Sequence, residues 1–243
     1  VKVSLLFALY TCLPSIVFSL LIALGLDSQP FFRGIFRTIF LMPVSISSAM
    51  AAMLWLSIYN PTSGYLNYLL EFLKIEGPNW LGDPNWSLLA VAIATVWKEL
   101  GFNIIFFLAG LAGIPKELYE ASNLEGANSW QTFRYITLPL LAPTVLFVGV
   151  VSVLHSFQAF GQIHILTGGG PAGSSTTMVY GLYRDAFQNF QTGSASAQAI
   201  VLFVLMSLAT WLQFNIKSNM GGRRETTQVA NAQSGNGGGD NGR

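Results

Sequence analysis

Charge is what this 243-residue chain has least of: 9% of its residues are Asp, Glu, Lys or Arg, against 52% apolar ones. A soluble globular domain carries about 25% charged residues, so this chain cannot cover itself with a water-facing surface, and its solvent is lipid. A net charge of +1 excludes the basic face that a nucleic-acid partner needs. The single cysteine, Cys12, excludes a disulfide or thiolate metal framework and leaves the redox compartment unread. The two histidines, His155 and His164, have no carboxylates beside them with which to build a zinc site, and no metal ligands are assigned. The G-K-[ST] signature of a phosphate-binding loop is missing, so the chain carries no ATPase motif of its own and no catalytic residue is assigned.

What the chain does have is apolar length. About 20 helical residues cross about 30 Å of hydrocarbon, and five runs qualify: 3–24, 38–59, 88–111, 140–160 and 196–215. Pro14, Pro43 and Pro143 fall within or near them. Lipid tolerates such breaks only where neighbouring helices satisfy the freed carbonyls, which predicts a bundle. The fold class is therefore all-α, a polytopic membrane helix bundle. Residues 1–217 form the transmembrane domain, and 218–243, rich in Gly, Asn and Gln, form a tail expected to be disordered. The run 3–24 is too long for a signal-peptide core and has no A-x-A-like site after it, so it reads as a true span.

Lys and Arg near the span ends set the orientation. Arg33, Arg37, Lys116, Arg134, Lys217, Arg223, Arg224 and Arg243 fall on one side, and Lys2, Lys74 and Arg184 on the other. This predicts an outer N-terminus, an inner connector 115–139 and an inner tail. The outer connector 60–86 is rich in turn residues, with a short helix expected about Tyr65–Leu73 and with Trp80 and Trp86 in an interfacial belt. The second outer connector turns at Gly168–Pro171. Ser174 to Thr177 then offer N-caps for a helix through Tyr180, Tyr183, Phe187 and Phe190.

The inner connector reads as two helical pieces joined at a bend. Pro115 suits a first turn, Lys116 to Leu124 are good helix formers, and Gly126 supplies a turn that a β-carbon resists. Trp130, Phe133 and Leu138 suggest a second apolar stripe. A polar helix–turn–helix held against a membrane predicts a surface for another protein.

The order Glu120-Ala121-Ser122, then Gly126-Ala127, then Ile136-Thr137-Leu138-Pro139 resembles the EAA loop of permease subunits in binding-protein-dependent ABC importers. Leu166-Thr167-Gly168-Gly169-Gly170-Pro171 resembles the carbohydrate and glycerol-3-phosphate branch, related to the larger maltose-transporter permease. The likeness covers about residues 1–217. Ser122 stands where the family usually has Ala, and Glu125 where it usually has Asp. The resemblance implies a type I importer permease, commonly with one more N-terminal span than the five here. It implies that Glu120, Ala121, Ser122, Glu125, Gly126 and Ala127 couple to an ATPase subunit, present in two copies. ATP and Mg would lie on those copies, and this chain would bind no cofactor. It further implies a second permease subunit and an extracytoplasmic solute-binding protein docking near Gly168, Gly169, Gly170 and Pro171. The location implied is the bacterial cytoplasmic (inner) membrane.

Lys98 and Glu99 interrupt the third run about 15 Å along it, near half the hydrocarbon depth. Charges there face a cavity or a partner. One reading makes Trp97, Lys98, Glu99, Phe102 and Asn103 a solute pathway, and the other makes the charges a structural ion pair. Trp97-Lys98 followed by Gly101-Phe102 also resembles this family's span. Ser152, His155, Gln158 and Gln162 fall within about 120° of one helix face. They line the path or glue helices together. Phe157 and Phe160 either stack on a sugar ring or face lipid. A sugar, a polyol or glycerol-3-phosphate are the expected solutes. Lys98 suits a phosphate, and Glu99 beside it opposes one. An ion-coupled secondary transporter or channel is the alternative, and would need no docking helix. A membrane enzyme would need a clustered acid–base set, for which only Glu99, Lys98 and His155 are available.

Overall fold

The structure is a computed structural model that describes residues 1–28, 33–75 and 77–235. The side chains of Arg33, Arg37 and the basic tail lie outside the described set, as do residues 236–243. The described residues are helical and contain no strand. In chain order the helices are α1 (Lys2–Ser28), α2 (Arg33–Ser45), α3 (Ser48–Ile58), α4 (Tyr65–Phe72), α5 (Ser87–Ala112), α6 (Lys116–Leu124), α7 (Ser129–Thr132), α8 (Leu138–Gln158), α9 (Gly161–Leu166), α10 (Met178–Tyr183) and α11 (Thr192–Gly235). Wide π turns follow α7 at Phe133–Thr137 and α10 at Arg184–Gln188. Among the described residues four helices are long and apolar enough to cross a membrane, five if one bent pair counts as a span.

That bent pair corrects the expected continuous span 38–59. α2 and α3 meet at 110° across a break at Ile46-Ser47. Ser47 is extended and its hydroxyl accepts from Met50 N–H at 3.2 Å, which restarts the helix in a new direction. The expected fourth span, 140–160, is continuous as α8 to Gln158, and the chain breaks at its end: Ala159 is extended, and α9 starts at Gly161. At the far end, α11 is helical through Gly235, where the sequence led to an expectation of disorder from 218. No proline interrupts it, and an established helix extends one hydrogen bond at a time without a fresh nucleus.

α5 is the axis. Of its most apolar window 56% is buried, against 6% for α11, so α5 lies inside the bundle and α11 at its exposed edge. α1, α2, α3, α8 and α9 all pack on it. Small residues permit the approach: a Cβ at Gly101 would strike the carbonyl oxygen of Phe40 on α2.

Two apolar clusters hold the bundle. One gathers Phe7, Tyr59, Trp80, Val91, Ile163 and Tyr180, and the other Ala23, Phe107, Leu111, Leu141 and Val148. Along the helices a polar layer falls between them. Asn103 on α5 donates to Ser15 on α1 at 3.2 Å and to Ser152 on α8 at 3.3 Å. Cys12 lies 3.6 Å from Ser156. Trp80, expected in an interfacial belt, is instead core: it is buried, donates to Asn67 at 2.7 Å and packs on Tyr59 and Trp86.

Candidate functional site: a charged cavity and a bent inner loop

The two helix breaks converge on one place. A cavity of about 340 Å³ opens between the α2–α3 bend, the middle of α5 and the α8–α9 break. Val44 and Ser48 come from the bend, Lys98, Glu99 and Phe102 from α5, and His155, Gln158, Phe160 and Gln162 from the α8–α9 side. Irregular backbone at membrane depth persists where it is buried in protein or lines a cavity, and both breaks border this one. Glu99 Oε2 is buried without a hydrogen-bond partner. The Phe102 ring lies 5.7 Å from that of His155.

Five of the eight residues expected along a solute path thus share one wall: Lys98, Glu99, Phe102, His155 and Gln158. Three do not. Trp97 packs edge-on against Trp55 at 5.9 Å. Asn103 and Ser152 are each 1% exposed, and Asn103 donates both to Ser152 and to Ser15. They join helices, because the Asn103 amide nitrogen donates to both neighbours. Phe157 is buried in an apolar groove that Cys12 of α1 and Leu208 of α11 also line, while Phe160 lines the cavity. Val44 and Ser48 went unforeseen in the sequence. Their one local signal is Ser47, a capping residue type inside an apolar run.

Past the C-terminal end of α5 lies the bent loop of residues 115–139. α6 ends in a two-bond cap: Ala127 N–H reaches Ser122 O at 3.0 Å and Gly126 N–H reaches Asn123 O at 3.1 Å. Gly126 has φ +76°, the left-handed conformation this motif requires and that glycine adopts at no steric cost. Asn128 and Gln131 then form a reciprocal capping box that starts α7. Ser122 is buried, and its hydroxyl donates to Tyr119 O at 2.9 Å and lies 3.3 Å from Thr132 Oγ1. The hydroxyl therefore ties α6 to α7. Glu120, Ala121 and Glu125 are exposed, and Ala127 is half-buried. Around them stand Leu124, 90% exposed, with Trp130 and Tyr135. Large apolar side chains exposed together mark a surface that meets a protein or a membrane interface.

The outer loop is packed rather than open. Gly168 and Gly169 have φ of +56° and +79°. Thr176 donates to Gly169 O at 2.7 Å and Ser175 to Gly170 O at 2.8 Å. Ser174 bonds Ser87 at the head of α5, and Met178 N–H donates to Ser4 at the head of α1. Gly169 is buried, Gly168 is exposed, and Gly170 and Pro171 are half-buried. The helix expected from Ser174–Thr177 runs as α10 and its π turn, and Phe190 lies beyond it with φ +53°. A ladder of rings follows: Phe160, His164, Tyr180, Tyr183 and Phe187, with neighbours 4.7–6.2 Å apart. The described residues hold no group of three or more His, Cys, Asp or Glu that could take a metal.

Comparison with known proteins accords with this arrangement. Residues 15–221 match the family described as binding-protein-dependent transport system inner membrane component. The sn-glycerol-3-phosphate transport system permease protein UgpA of Agrobacterium fabrum is 41% identical over 216 residues, 88% of this chain and 73% of that protein. Its namesake in Yersinia enterocolitica is 35% identical, over 82% of this chain and 68% of that protein. Among solved structures, a bacterial alginate ABC transporter in complex with alginate pentasaccharide-bound periplasmic protein contains a chain that superposes with TM-score 0.82. That chain is 25% identical, and the match covers 90% of this chain and 77% of it. This multi-pass membrane protein belongs to the binding-protein-dependent inner-membrane components, the permease subunits of ABC importers.

Proposed function

We propose that this permease moves a sugar, polyol or glycerol-3-phosphate type solute across the bacterial cytoplasmic membrane by alternating access. The observation that carries the reading is the placement of an exposed, glycine-bent loop at one end of α5, while the charged cavity borders the middle of the same helix. A force on the loop reaches the cavity through one continuous helix, Ser87–Ala112. Two cytoplasmic ATPase subunits, holding ATP and Mg, grip the loop through Glu120, Ala121, Ser122, Glu125, Gly126 and Ala127. Their closure biases a two-state bundle. A second permease subunit completes the path, since His155 and Gln158 are exposed in the isolated chain. A solute-binding protein docks at the outer end, at Gly168, Gly169, Gly170 and Pro171, in the loop that Ser174 and Met178 tie to the heads of α5 and α1. The names of the relatives, glycerol-3-phosphate permeases and an alginate importer, support the solute class.

The experiment is co-purification from detergent with the native ATPase. Glu120→Arg and Gly126→Pro should abolish the complex while leaving the chain inserted. An unaltered complex would reject the docking, and uptake by this chain alone without ATP would favour an ion-coupled transporter.

A further inference from the structure

The connector between α3 and α5 carries a short helix, α4, with three different sides. The end of α3 is tied to the first turn of α5, where the Tyr59 hydroxyl donates to Ala90 O at 2.8 Å. α5 is long and apolar enough to cross the membrane, so its head lies at a membrane surface, and the connector with it. At about 100° per residue, Tyr65, Tyr68, Leu69 and Phe72 fall within about 100° of arc. They and Leu73 are 59–82% exposed. On a second side, Leu66 and Leu70 pack against the cluster that holds Tyr59 and Trp80. Asn67 accepts from Trp80 Nε1 at 2.7 Å and donates to Pro61 O at 3.3 Å. A Cβ at Gly77 would strike the Asn67 side chain. These contacts fix the roll of α4, so the stripe cannot turn inward. Glu71 is exposed on the third side, between Asn67 and Tyr68 on the helical wheel. The three rings of the stripe alone expose about 300 Å², the size at which an apolar patch marks a protein or membrane contact.

Lys74 adds a second chemistry. The helix closes with Lys74 N–H on Glu71 O at 2.8 Å and Ile75 N–H on Leu70 O at 2.9 Å. This closure holds Lys74 at φ +60°, in a position that glycine fills at no steric cost. The lysine instead sets an exposed cation directly after the apolar stripe. Rings and leucines that end in a cation, with an acid on another side, match a bilayer boundary: rings against acyl chains, ammonium on phosphates, carboxylate in water. A protein that docks and leaves would return the stripe to water between encounters, whereas lipid covers it throughout.

We propose that α4 is an interfacial anchor. Tyr65, Tyr68, Leu69, Phe72 and Leu73 lie in the headgroup–acyl boundary of the phospholipid, and Lys74 holds lipid phosphates. Through Leu66, Leu70 and the Asn67–Trp80 bond, α4 keeps the end of α3 and the head of α5 at that surface.

Photocrosslinking tests this on the complete importer, reconstituted in phosphatidylethanolamine–phosphatidylglycerol vesicles with its solute-binding protein present or absent. Benzoylphenylalanine in place of Tyr68 or Phe72 keeps a ring on the stripe, so folding is not at stake. Both positions should yield phospholipid adducts by mass spectrometry, whether or not the binding protein is there. The same probe in place of Glu71 should lose them. Adducts to the binding protein or to another subunit in place of lipid overturn the proposal. Equal lipid adducts at position 71 overturn it too, as does their absence at 68 and 72. For Lys74 the readout is thermal. Added phosphatidylglycerol should raise the unfolding temperature of the detergent-solubilised complex, and Lys74→Gly, which suits the backbone there, should lose part of that rise. An equal rise in both, or none in the native complex, removes Lys74 from the contact.

Discussion

Gly101 on α5 backs directly onto the carbonyl oxygen of Phe40 on α2, with Val44 against the same point. This contact sets the first half of the bent pair against the cavity wall, two residues from Glu99. Gly101→Val should force α2 away, at about 1–3 kcal/mol, the usual cost of overpacking. The thermal unfolding temperature in detergent should drop. Unchanged stability would mean that α2 yields freely there.

The polar layer makes a separate prediction. Asn103 bonds both Ser15 and Ser152 between apolar clusters, and in membranes such bonds contribute about 0.6 kcal/mol each, at most about 1.7. Asn103→Leu should therefore destabilise by about 1–2 kcal/mol through the two lost bonds. It should leave solute selectivity unchanged, since Asn103 does not line the cavity. Altered selectivity with native stability would return Asn103 to the solute path.

At the inner loop the conformation of one residue is decisive. Gly126 has φ +76°, which costs a residue with a β-carbon about 1–2 kcal/mol. Asn tolerates this conformation and β-branched residues resist it. Gly126→Asn should keep ATPase co-purification and Gly126→Val should weaken it strongly. Equal behaviour of the two would show that the bend is not what the ATPase reads.

Leu124 is 90% exposed beside that bend. Leu124→Glu should leave unfolding of the isolated permease within about 0.5 kcal/mol, as for surface substitutions generally. It should lower affinity for the ATPase in a pull-down titration. A stability loss without an affinity loss would make Leu124 a packing residue of this chain.

Acid should release one outer joint. Hydrogen bonds from Asn189, Gln198 and Ser194 hold the Asp185 carboxylate below its ordinary value. They tie the π turn after α10 to the first turns of α11. A depressed folded value means that the stabilisation is full above the unfolded carboxylate value of about 3.9. It is lost as pH falls through the lower, folded one. Hydrogen exchange at 192–198 should stay flat from pH 7 to pH 5, after correction for intrinsic rates, and rise only below about pH 4. Asp185→Asn should raise exchange at neutral pH. A rise already at pH 6 would point to a histidine instead.

Much was legible in the residues alone. The shortage of charge and the apolar runs require a membrane bundle, because lipid accepts backbone only when its hydrogen bonds close internally. Gly126, following the helix formers Lys116 to Leu124, announces its bend locally. So does the interruption at Lys98-Glu99, whose charges must face inward at that depth. These are decisions a few neighbouring residues make by themselves.

Only the tertiary structure decided which polar groups face the cavity and which serve as glue. Asn103 and Glu99 lie four residues apart on α5, about one turn, yet one is consumed by Ser15 and Ser152 while the other keeps an unsatisfied oxygen. Nothing within α5 separates them. The difference comes from the helices that surround it: α1 and α8 supply partners at one level, and at the other the bends at Ser47 and Ala159 turn the chain aside and leave a space. Helical periodicity assigns a residue to a face, but what that face meets depends on helices far away in sequence.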